Sequence, residues 1–124
     1  MKLTKNFSRQ EFDCKDGTPV PVHLLPNVKE LAENLQVLRN YLGAPVQVTG
    51  SGYRTSTHNK RVGGAPKSLH LEAKAADINA KGHTPKQVYD AIEKLIALGK
   101  MKQGGLGLYK GFVHYDIRGT KARW

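Results

Sequence analysis

Four side chains in this 124-residue chain promise chemistry by type and position: His70, Asp77, His114 and Asp116. His70 and Asp77 flank the entry to Ala75-Ala76-Asp77-Ile78-Asn79, which reads as a strand. His114 and Asp116 stand two apart in a second strand, Phe112 to Ile117, so both point to one face. Two imidazoles and a carboxylate make a common catalytic zinc set, with a fourth position open for water. Such an ion brings the pKa of bound water towards ~7, and a free carboxylate nearby then shuttles protons. The interval from His70 to Asp77 is odd, so the chain must turn between them, and Leu71 to Ala73 is where the turn fits. A carboxylate between Ala76 and Ile78 is costly unless paired or bound to metal. The same holds for Asp116 between Tyr115 and Ile117. A histidine taken alone is more often a surface or satisfied core residue.

The elements that must position these groups follow from periodicity and punctuation. Ser8-Arg9-Gln10-Glu11 has the spacing of a capping box, which predicts a short helical turn. Residues 13–26, with Pro19, Pro21 and Pro26, read as loop. Val28, Leu31, Leu35, Leu38 and Leu42 recur at helical spacing, predicting a helix capped by Asn27 and stopped by Gly43. Val46 to Thr49 alternates and predicts a strand. From Gly50 to Leu69 the pattern dissolves into a polar stretch, and loops beyond about 12–15 residues are usually functional or disordered. Thr84-Pro85-Lys86-Gln87 combines a capping box with proline at the first helical position. The helix that follows has an apolar face of Val88, Ile92, Leu95 and Ile96 and ends at Gly99. Gly104 to Ile117 reads as two strands around a turn at Gly111. The expected fold is α+β, a small antiparallel sheet with flanking helices, forming a single domain over residues 1–124.

Composition narrows the partners. The chain has 20 Lys+Arg against 10 Asp+Glu, one Cys and 39% hydrophobic residues. One cysteine forms no internal disulfide and no thiolate cluster, and no apolar stretch reaches the ~20 residues of a membrane span. The net charge of +10 suits an anionic partner such as nucleic acid, a membrane surface or an acidic cell-wall polymer. The basic residues are scattered rather than blocked into a tail. No apolar segment follows Lys2 and Lys5, so the expectation is synthesis in the cytoplasm without a signal peptide.

Several separated motifs together resemble a known family. They are Ser51-Gly52-Tyr53-Arg54, His58-Asn59, Val62-Gly63-Gly64-Ala65-Pro66, Ser68-Leu69-His70 and Ala75-Ala76-Asp77-Ile78. These resemble the signature of the zinc D-Ala-D-Ala carboxypeptidases, a family that includes peptidoglycan endopeptidases and shares its fold with the hedgehog signalling domain. Phe112-Val113-His114-Tyr115-Asp116-Ile117-Arg118 resembles the closing motif of its small-domain branch, found in phage and bacterial proteins. Leu3 to Ser8 with Glu11-Phe12 resembles that branch's opening. The resemblance implies one zinc ion per chain held by His70, Asp77 and His114, and an Arg54 that holds a substrate carboxylate or carbonyl. A guanidinium suits that task because it grips a carboxylate with two parallel hydrogen bonds.

Two positions depart from the family. Ala73 stands where glycine is usual; if that position needs positive φ, alanine costs about 1 kcal/mol. The catalytic acid or base that many members carry just before the third ligand is missing, since Gly111, Phe112 and Val113 precede His114. Asp116 is the replacement candidate, taking a proton from water and delivering it to the leaving amine; the alternative is a carboxylate that steadies a ligand imidazole. The expected function is a monomeric zinc peptidase hydrolysing peptidoglycan stem peptides or crosslinks, with no nucleic-acid partner and no membrane insertion. Its place of action is the cell wall, as a phage lytic or virion-associated enzyme. A metal-bound wall-binding module without turnover is the alternative. Trp124 is expected to close an edge of the core, or to serve as a ligand platform.

Overall fold

A computed structural model describes residues 1–124. Five strands form one sheet in the order β1-β2-β4-β3-β5, with β1 Val46–Gln47, β2 Ala75–Ala80, β3 Gly105–Leu108, β4 Val113–Asp116 and β5 Ala122–Arg123. Every pairing is antiparallel except β3 with β5, which is parallel. Three helices accompany it: α1 Leu25–Leu42, α2 Ser56–Arg61 and α3 Pro85–Ala97. The fold is α+β, as the order of elements predicts. No helix is long and apolar enough to cross a membrane.

The sheet has two chemically distinct faces because its side chains alternate. Ala76 and Ile78 of β2, Val113 and Tyr115 of β4 and Leu106 of β3 join the core. There they meet Val28, Leu31, Leu35 and Leu38 of α1 and Val88, Ile92 and Leu95 of α3. The intervening positions, Asp77, His114, Asp116, Gly105 and Gly107, face the other way. One face therefore supplies stability and the other is left for polar groups.

Local signals explain most element ends. Thr84 accepts from the Gln87 amide while the Gln87 side chain accepts from the Thr84 amide, the expected capping box, and Pro85 opens α3. Gly43 ends α1 in the left-handed region at φ 63°. α1 begins before the predicted Asn27 cap because Pro26 sits in its first turn, where a missing N–H costs nothing. Asn27 instead donates to the Glu72 carbonyl at 3.0 Å. The predicted strand from Val46 to Thr49 is only two residues long. The supposed loop from Gly50 to Leu69 contains α2, capped by the Thr55 hydroxyl, which accepts from the His58 amide.

Between His70 and Asp77 the chain turns as the odd spacing requires. A 3-10 turn spans Leu69–Glu72, and Ala73 follows at φ 57° and ψ 30°. The position does need the left-handed conformation, and alanine adopts it there with its methyl buried in the core. For Ala73→Gly, relief of about 1 kcal/mol of backbone strain is offset by about 0.8 kcal/mol of lost methyl burial and by greater freedom of the unfolded chain. The expected outcome is a chemical-denaturation stability within about 0.5 kcal/mol of the parent. Ala73→Val adds a branched Cβ at positive φ and excess volume, and loses about 2–4 kcal/mol in the same measurement.

Candidate metal centre

β2 and β4 pair so that Asp77 lies directly across from His114, on the face turned away from the helices. His70 arrives from the 3-10 turn, where Ser68 accepts from its amide and its carbonyl accepts from the Arg54 amide at 3.0 Å. The segment from Gly50 to Arg54 runs beside β2 and locks it: the Asp77 amide donates to the Ser51 carbonyl at 2.9 Å, and the Gly50 amide to the Asp77 carbonyl at 3.2 Å. All three side chains are buried, at the floor of a cleft of about 730 Å³.

Ring hydrogen bonds decide which nitrogens face one another. His70 Nδ1 is 2.7 Å from the Gly52 carbonyl, an acceptor only, so that nitrogen carries the proton and Nε2 keeps its lone pair. His114 Nε2 is 2.7 Å from Asp116 Oδ2 and donates to it, leaving the lone pair on Nδ1. His70 Nε2 and His114 Nδ1 lie 3.4 and 3.3 Å from the same oxygen, Asp77 Oδ1. Three lone pairs converging on one point repel unless a cation or a proton sits among them. Donors about 2.0–2.1 Å from a tetrahedral zinc ion are about 3.3–3.4 Å apart, so the set fits such an ion. Both outer ring nitrogens are already anchored, which fixes tautomer and orientation.

The charges respond to this crowding. Where a proton rather than a cation sits among them, burial pushes the Asp77 carboxyl up, but the protonated ring nitrogens of His114 and His70 outweigh it and hold the group well below the usual carboxylate range. Burial pushes His114 down, yet its bonds to Asp116 and Asp77 prevail and raise it above an ordinary histidine.

Asp116 does not stand where the catalytic expectation put it. Its side chain is 0% exposed, and both oxygens are taken. Oδ1 accepts from the Gly105 amide at 2.8 Å, the Arg118 amide at 3.1 Å and Arg118 Nε at 2.9 Å. Oδ2 accepts from His114 and from Arg118 NH2 at 2.8 Å. Burial alone would raise its pKa; the His114 and Arg118 bonds hold it well below the ordinary range. A carboxylate so saturated cannot reach a water in the cleft. The geometry makes it the partner of His114, as the alternative reading had it, and β3 carries glycine at 105 because a Cβ there would strike Asp116 Oδ2.

Arg54 lines the cleft. Its Nε donates to Ser51 Oγ at 2.9 Å and its NH1 to Asn59 Oδ1 at 3.2 Å, while NH2 lies 3.7 Å from Asp77 Oδ2. Two further residues join it at the cleft, Arg118, which carried no expected role, and Trp124. Arg118 forks onto Asp116, a contact foreshadowed only by the basic residue two places on. Trp124 is half exposed rather than closing the core; its ring centroid is 4.9 Å from that of His114 and its Nε1 donates to the Tyr109 hydroxyl at 2.8 Å. Gly107 makes room for that indole, since a Cβ there would be 2.5 Å from Trp124 Nε1. His58 points elsewhere, and Tyr115 is core.

Comparison with known proteins agrees with this chemistry. The model of a family described as Peptidase M15 matches residues 5–116, and no curated protein matches the chain.

Asp116→Asn keeps the shape but weakens the acceptor behind His114, so zinc affinity falls about 10–100-fold in competition titrations against a chelator. Zinc affinity of the parent also falls as pH drops through the raised His114 value, because below it a proton occupies Nδ1. The slope for one displaced proton is about tenfold per pH unit, read by the same titration across a pH series.

Proposed function

The chain belongs to the peptidase M15 family of zinc D-Ala-D-Ala carboxypeptidase-type metallopeptidases, and from that premise we propose that it hydrolyses peptide bonds in peptidoglycan stem peptides or their crosslinks. His70, Asp77 and His114 are the proposed zinc ligands. The observation that carries this reading is the donor set itself: two ring nitrogens, each at tetrahedral-edge spacing from one carboxylate oxygen and each ring held from behind, at the floor of an open cleft.

When bound in such a set, zinc supplies Lewis acidity towards a carbonyl and a water that is acidic near neutral pH. The chain's own residues do the rest. Gly52 and Asp116 hold the two imidazoles from behind, with the ligating nitrogens aimed into the cleft. Arg54, braced by Ser51 and Asn59, presents its guanidinium beside the reacting centre to hold a substrate carboxylate or carbonyl. Lys67 and Arg118 add positive charge to the lining, against which Asp77 is the one acidic residue. Such a lining favours an acidic peptide over a basic one. Tyr109 and Phe112, stacked with centroids 4.5 Å apart, form with Trp124 an aromatic wall for the apolar parts of the substrate.

One observation favours a second reading. No free carboxylate lines the cleft, so the general base that the family's chemistry calls for has no obvious carrier once Asp116 is committed to His114. A metal-bound module that recognises wall peptides without cutting them meets the same geometry.

Digestion of purified peptidoglycan, analysed by mass spectrometry of the released muropeptides, separates the two. Zinc-loaded protein is expected to create new amino and carboxyl termini, chelator to abolish them, and restored zinc to recover them. Binding to the wall with no new termini at any zinc level would establish the module instead. Arg54→Lys keeps the charge but loses the planar fork, and raises KM at least about tenfold with a smaller change in kcat.

A further inference from the structure

The molecule contains two sets of three metal-ligating side chains whose donor atoms lie within 4.8 Å of one another: His70, Asp77 and His114, and a second made of Cys14, Asp16 and His58. The second set shares no residue with the cleft and has no part in the chemistry above. Its members come from two distant stretches, the loop after the first 3-10 turn and the helix α2.

The donors have properties that a metal would use. Cys14 is the only thiol in the chain and is buried. Asp16 is at the surface, and each of its oxygens takes a single donor: the Thr18 amide at 2.9 Å and the Thr55 hydroxyl at 2.9 Å. A carboxylate oxygen has two lone pairs, so capacity remains on both. His58 carries the independent mark: its Nδ1 is shut away from solvent and has no hydrogen-bond partner. A buried ring nitrogen left unsatisfied is destabilising, and no hydrogen bond within the protein relieves it.

We propose that Cys14 Sγ, an Asp16 carboxylate oxygen and a His58 ring nitrogen form a second, structural site for a zinc-like divalent ion, with water in the fourth position. Sulfur, nitrogen and one oxygen are the donors such a borderline-soft ion takes, whereas calcium and magnesium demand oxygen alone. On binding, the Cys14 thiol loses its proton to solvent and the thiolate forms the bond to the ion. Tetrahedral neighbours around zinc are about 3.3–3.8 Å apart, so side-chain shifts of about half an ångström each close the set. The ion would join the loop at Cys14 and Asp16 to α2. The next residue on α2, Asn59, holds Arg54 NH1 at 3.2 Å, so the clasp would stiffen the cleft wall that presents Arg54.

Cobalt(II) titration of the full chain tests this, because one cysteine makes the signal unambiguous. A thiolate-to-cobalt charge-transfer band in the near ultraviolet can arise only at Cys14. The expected result is two equivalents bound, the band saturating with one of them. Cys14→Ser and His58→Ala each lose the band and one equivalent. His114→Ala loses the other equivalent and keeps the band, so the two centres are scored separately. Asp16→Ala, an exposed-loop change, weakens the band at least tenfold in cobalt concentration and carries the test should Cys14→Ser fail to fold. A single equivalent with no thiolate band at saturating cobalt, or a band unchanged in His58→Ala, overturns the proposal.

Discussion

A carboxylate with no access to water, Asp116, sets the terms for everything around it. Burying such a charge is costly unless its lone pairs are filled and an opposite charge stands close. The protein meets both demands with the Gly105 amide, the Arg118 amide and guanidinium, and the His114 ring. Each donor has a structural consequence. β3 must approach closely enough to need glycine, the chain leaving β4 must bring Arg118 back to Asp116, and His114 must turn so that its other nitrogen looks at Asp77. The orientation of a metal ligand and the spacing of two strands thus rest on one charge.

The pairing of β2 with β4 is the second constraint. Asp77 meets His114 only in the observed register, and a slip of one residue would reverse both faces of β4. Tyr115 would then enter the cleft and His114 the core, where Ile78 and Leu106 now pack. Correct sheet formation and assembly of the donor set are one event. A partly correct version would expose an aromatic and bury a polar ring, so errors are self-limiting. The metal, when bound, adds its free energy to the same arrangement.

Strong periodicity made α1 and α3 readable from residue types alone, and the β2 strand and the β3–β4 hairpin were equally plain. α2 was invisible because its six residues, Ser56 to Arg61, are polar throughout and carry no apolar rhythm; only Thr55 as a cap hinted at it. β5 is two residues long, below anything alternation can reveal. In the site, types and same-face spacing foretold that His114 and Asp116 act together, and the odd interval after His70 foretold a turn. Which oxygen of Asp116 faces which donor depends on the approach of β3 and the return of Arg118, both non-local. A catalytic role was therefore a fair expectation from spacing, whereas the three-dimensional contacts occupy both oxygens with donors from His114, Gly105 and Arg118. Ala73 shows the opposite case, where a backbone demand suspected from one residue's departure from pattern is met without the glycine that would relieve it.

Trp124 is the only tryptophan of the chain, and it leans against a ring that faces the donor set while leaving about half its surface, 48%, to solvent. Indole emission is quenched by a neighbouring imidazolium or an open-shell cation, and it shifts to shorter wavelength when water is displaced. The protein therefore carries its own optical gauge of the cleft, in which loading, protonation and coverage each change the light from one fluorophore with no label attached.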